Sequence, residues 1–186
     1  MTALTATGVL VRFILRRDRI RLAVWVLGIS VVVVISAGSL PGVYPDQAAI
    51  DAYVRLFGDN PALVTFAGPG YGFDDPSIGV ILVNETQLWA MLGTALMSIF
   101  LVNRHTRAEE ESERAELLRS GVVGRHAPAA AATVVVAGAN LAAGVLCLAG
   151  FLLTDYPFAG SLALAGSIAG AGLVCVGGAG VAAQRF

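Results

Sequence analysis

The side chains with the clearest capacity for chemistry lie in one stretch, Arg104 to His126, RHTRAEEESERAELLRSGVVGRH. Ten of the 25 charged residues fall there, five Arg against five Glu. Thr106 with Glu109 three residues later has the spacing of a capping box, in which hydroxyl and carboxylate each satisfy an amide at a helix start. Glu109, Glu110 and Glu111 then fill a first turn, where the helix dipole favours acids, and Glu110 with Arg114 forms an i,i+4 pair. Glu113 and Glu116 add carboxylates, and Gly121 supplies a stop. The apolar face is thin, so the segment is expected to be solvated or docked on a polar partner. The chemistry on offer is charge-paired docking. No nucleophile–base pair, HExxH or CxxC accompanies it, and no catalytic residue and no metal ligand set is expected.

What positions this island is a membrane. The 186 residues are 56% hydrophobic and 13% charged, with a mean hydropathy of +0.77, far from soluble composition. All twelve basic residues are Arg, which excludes P-loop, Schiff-base and Ser-Lys chemistry. Cys147 and Cys175 lie in apolar runs without a disulfide or zinc spacing. Residues 1–21 interleave Val9, Leu10, Phe13 and Ile14 with Arg12, Arg16, Arg17, Arg19 and Arg21, the pattern of an interfacial helix whose guanidinium groups reach lipid phosphates. Four spans are expected at 22–40, 86–103, 128–154 and 159–183, each near the length that crosses a bilayer.

Between the first two spans, 41–85 forms an acidic outer loop. Ile50, Tyr53, Val54 and Phe57 give it an amphipathic helix with Asp46 as cap, Asn60-Pro61 opens a second helix, and GPGYGFDDP makes a turn. Eleven of the twelve Arg fall on one side of this layout, so both termini and the 104–127 loop are expected in the cytoplasm. None of the four spans, so bounded, holds Asp, Glu, Arg or His. Asn140 is the one strongly polar group at depth, a candidate for an interhelical hydrogen bond or for lining a path. Gly138, Gly166 and Gly170 are candidates for close helix packing.

The order of interfacial helix, span, long outer loop, span, polar helix and span resembles the permease subunits of type-2 ATP-binding-cassette exporters. The phrase RHTRAEEESERAELLRSGVVGRHA resembles, more narrowly, the actinobacterial exporters of polyketide antibiotics. The resemblance covers only the front part of such permeases. It implies an all-α integral membrane fold, with an N-terminal elbow helix, four spans and a cytoplasmic coupling helix between spans two and three. It also implies a separate ATPase subunit that holds ATP and Mg, with Thr106, Glu109, Glu110, Glu111, Glu113, Arg114 and Glu116 docking on it. No cofactor is expected in this chain. Further permease spans or a second permease chain and the lipid bilayer are the other expected partners, and nucleic acid is not expected. The function implied is efflux of hydrophobic compounds across the plasma membrane. The alternative is a membrane anchor or assembly module that binds a partner through 41–85.

Overall fold

The computed structural model describes residues 4–58, 60–110, 124 and 126–185, and the described secondary structure is helical. In order these helices are α1 (Thr7–Arg17), α2 (Arg19–Val43), α3 (Gln47–Gly58), α4 (Pro61–Ala67), α5 (Ile78–Glu110), α6 (Ala127–Leu153) and α7 (Phe158–Arg185). Four of them, α2, α5, α6 and α7, are long and apolar enough to cross a membrane. Hydrocarbon offers no water to a backbone amide, so such runs satisfy their amides internally even where, as in VVVVI of α2, the residues would favour a strand in water.

α7 packs along both α5 and α6, and α2 rests on α6 and α5 without touching α7. α1 breaks from α2 at Asp18 and lies against α6. The interfacial helix expected over 1–21 is therefore shorter, and Arg19 and Arg21 belong to the first turn of α2. Two apolar clusters fill the bundle. One, at the outer-loop end, gathers Leu40, Ile50, Tyr53, Phe57, Ile81 and Phe151. The other, at the arginine-rich end, gathers Ile14, Leu22, Met97, Leu101, Val135 and Val176.

The outer-loop helices begin where local chemistry places them. The Ala49 amide donates to Asp46 Oδ1 at 2.9 Å, and Asn60 Oδ1 accepts from the amides of Ala62 and Leu63 ahead of Pro61. Gly68 and Gly72 take φ of 88° and 74° in the expected turn. Asn84 then pins that turn to α5: its Oδ1 accepts from the Tyr71 amide, and its Nδ2 donates to the Tyr71 and Val80 carbonyls.

α2 runs one turn past its expected end, through Pro41 to Val43. Proline has no N–H, so the carbonyl of Ala37, four residues earlier, loses its helical donor. Tyr156, in the turn between α6 and α7, donates its hydroxyl to that carbonyl at 3.0 Å. Ala37 is fully buried, so this one phenol both completes α2 and ties the far turn to it. Replacing Tyr156 by Phe is expected to cost about 1–3 kcal/mol, the penalty of a buried unpaired carbonyl. In a Pro41→Ala background the same change is expected to cost much less, because residue 41 then supplies the amide. A double-mutant cycle of thermal unfolding in detergent checks this, and additive effects would contradict it.

Candidate functional site

A groove of about 640 Å³ lies between α2 and α5, lined by Val24, Trp25, Gly28, Val32, Ser36, Glu85, Thr86, Trp89 and Ala90 among others. Gly28, Ser36 and Ala90 are the small residues of its lining. Val24, Val32 and Trp89 are exposed, so the groove faces outward from the bundle. Its acidic end is Glu85, which accepts from the Tyr44 hydroxyl at 3.3 Å. Burial, with the charge of Glu85 second, pushes the Tyr44 and Tyr53 phenols up.

The second span, expected over 86–103, is the middle of a 33-residue helix whose membrane-length portion is Ile78–His105. That portion also takes in Glu85, Arg104 and His105, which lie outside 86–103. The polar triplet Asn84-Glu85-Thr86 looks like loop in the sequence. In the fold Asn84 is consumed by the turn, Thr86 Oγ1 bonds back to the Leu82 carbonyl at 2.6 Å, and Glu85 faces the groove.

At the arginine-rich end, α5 continues without a break through Thr106 to Glu110, so no new helix starts at Thr106. The threonine that scores as a cap is a mid-helix residue here. A helix of 33 residues is about 50 Å long, against about 30 Å of hydrocarbon, so α5 projects past its membrane-length portion, which ends at His105. Thr106, Glu109 and Glu110 lie on this projecting end. Glu111, Glu113, Arg114 and Glu116 lie outside the described residues.

Asn140 is fully buried at the level between the two apolar clusters. It donates to Ser98 Oγ and to the Val136 carbonyl, both at 2.9 Å. Ser98 donates to the Thr94 carbonyl at 2.8 Å, and Thr94 Oγ1 lies 3.0 Å from the Ile168 carbonyl of α7. This polar layer joins α5, α6 and α7. Its counterpart on α7 is Gly172, where a Cβ would collide with the Asn140 amide. Close approaches between the membrane-length helices include Gly144 against Ala165 and Ala169, Gly150 against Val34, and Gly172. Around Gly138, Gly166 and Gly170 nothing lies within 4 Å of an added Cβ, so these three do not mediate the contacts described.

Of the arginines expected at the interface, Arg12, Arg16 and Arg19 are exposed, and Arg17 stacks over the Phe13 ring at 5.7 Å. Arg17 and Arg21 also reach Asp18, a residue the sequence pattern did not single out. The signal was its isolation, one acid among five arginines in residues 1–21. Among the described residues, no three His, Cys, Asp or Glu gather as a metal site.

No family model matches the chain. It is 40% identical over 181 residues, 97% of its length, to the multidrug efflux system permease protein of Mycobacterium tuberculosis. The match takes in 32% of that relative, so the chain spans about a third of the relative's length. Nearly every element above, from α1 to α7, therefore has a counterpart in an efflux permease.

Gly172→Ala is expected to destabilise the bundle by about 1–3 kcal/mol through overpacking against Asn140. Gly166→Ala and Gly170→Ala are expected to stay within about 0.5 kcal/mol. Thermal unfolding in detergent compares them, and equal losses at 166 and 172 would contradict the assigned contacts.

Proposed function

We propose that this chain is the membrane-spanning permease component of an ATP-driven exporter of hydrophobic compounds in the plasma membrane. The observation that carries the reading is the continuity of α5, in a chain related over nearly its whole length to an efflux permease. One end of this helix walls the groove with Glu85, Thr86 and Trp89. The other projects past the membrane-length portion into the acidic island. A force applied to the island therefore has a rigid route to the groove.

In this reading both termini and the island are cytoplasmic, and Thr106 to Arg119 is the coupling element. A separate ATP-binding-cassette subunit binds ATP and Mg, and hydrolysis there moves the island, while the chain itself performs no catalysis. Glu109, Glu110, Glu111, Glu113, Arg114 and Glu116 make the docking contacts. Further permease spans or a second permease chain cover the groove and the exposed faces of α2 and α7. The groove takes apolar compounds from the bilayer, with Trp25 and Trp89 as stacking surfaces. The outer loop spends Ile50, Tyr53 and Phe57 on the bundle core, which argues against a free partner-binding arm there.

Lysine at 109, 110 and 111 reverses the docking charge and is expected to reduce the co-eluting ATPase subunit by about tenfold or more while membrane insertion is retained. Detergent pull-down of the tagged chain expressed with its genomic neighbours measures this. Undiminished co-elution of the ATPase would refute the docking role.

A further inference from the structure

Asp18 occupies the break between α1 and α2 and is 4% exposed. Four cationic or imidazole groups from three segments converge on it. Arg21 Nη1 donates to Oδ1 at 3.1 Å, and Arg104 Nη2 lies 3.5 Å from the same oxygen. His105 Nε2 and Arg17 Nε lie 3.7 and 3.8 Å from Oδ2. Arg17 and Arg21 flank the break, whereas Arg104 and His105 close the membrane-length part of α5.

The link to α5 is an ion pair with Arg104 and an approach of the His105 ring, both longer than a hydrogen bond. Oδ2 of Asp18, Nε of Arg104 and both ring nitrogens of His105 are buried and make no hydrogen bond. Charge-assisted hydrogen bonds are about 2.7–2.9 Å, so the two contacts to α5 are roughly 0.6–1 Å longer than that. A buried carboxylate is costly without close partners. Displacing the α5 end alters how the buried Asp18 carboxylate is compensated, which links that end to the α1–α2 break. The far end of the island is tied to the same N-terminal segment, because the Gly124 amide donates to the Thr5 carbonyl at 3.1 Å.

We infer that Asp18 is a positioning residue that couples the cytoplasmic end of α5 to the α1–α2 break, so that movement of the segment after His105 is passed to the interfacial helix. Its role in transport rests on the exporter reading above; the tie itself does not. α1 is then a moving part of the coupling machinery, held at both ends of the island, as well as an anchor. Through α1, which packs on α6, the displacement reaches by a second route a span that α5 also contacts directly.

The test uses the full chain in nanodiscs, with Cys147 and Cys175 replaced by Ala and spin labels at Val9→Cys on α1 and Leu96→Cys on α5, both exposed positions. The wild-type pair is expected to give one narrow distance distribution. Asp18→Asn is expected to broaden it about twofold, Arg104→Gln to broaden it less, and the double variant to be no broader than Asp18→Asn alone, as coupled sites require. Asp18→Glu, which keeps the charge, is expected to recover most of the narrow distribution. In the complex with the ATPase, Asp18→Asn is expected to keep hydrolysis within about twofold and to lower transport about tenfold.

An unchanged distribution in Asp18→Asn, additive broadening in the double variant, or transport and hydrolysis falling together would overturn the inference. Arg104→Gln alters a half-exposed side chain and keeps the test open should Asp18→Asn fail to fold. Broadening on Asp18→Asn in a chain whose wild-type form retains no ATPase would remove the exporter reading while leaving the tie in place.

Discussion

Every polar group inside this bundle has to find its partner within the protein, because hydrocarbon supplies none. That constraint accounts for most of the architecture. Thr86, Thr94, Ser98 and Thr154 turn their hydroxyls back onto helix carbonyls, Asn140 bridges α6 to α5, and Tyr156 takes over the carbonyl that Pro41 orphans. Thr94, Asn140 and Tyr156 in addition fasten one element to another. What remains for function lies at the two ends of α5 and along its groove with α2.

α5 joins these regions. Most of its length is held on two sides by α6 and α7, with Met97 and Ile81 fully buried. Its outer turns are fixed by Asn84 to the Gly-rich turn, and its inner end meets Asp18. A helix so supported moves as a rod, and a displacement at one end appears at the other. The groove with α2 is the surface on which that displacement would act, since α2 is the least buried of the four membrane-length helices. Exposed Ile20, Val24, Val32 and Ile35 on α2 face lipid or another helix.

Much of this was legible in the residues, and what was missed shares a physical cause. Asp46 and Asn60 cap the helices they precede, and the 50, 53, 57 stripe is buried, because capping and periodicity are set within a few residues. The four apolar spans were readable for the same reason. The extent of α5 was not. Asn84-Glu85-Thr86 and Thr106 carry loop and cap signals that tertiary partners and a continuing helix override. Asp18, Gly172 and Tyr156 matter through contacts with residues 32 to 119 positions away, which no local pattern marks. The Gly166–Gly170 spacing shows the converse: small-residue spacing marks a surface that allows close approach without saying what approaches it.

The central claim is that one unbroken helix carries motion from the island to the groove. Inserting Gly-Gly between His105 and Thr106, in the chain assembled with its ATPase, tests it most directly, because two glycines interrupt the helix without removing either end. The account predicts that the ATPase still co-purifies and hydrolyses ATP while export of a hydrophobic compound is lost. Export at the wild-type rate through the interrupted helix would contradict it.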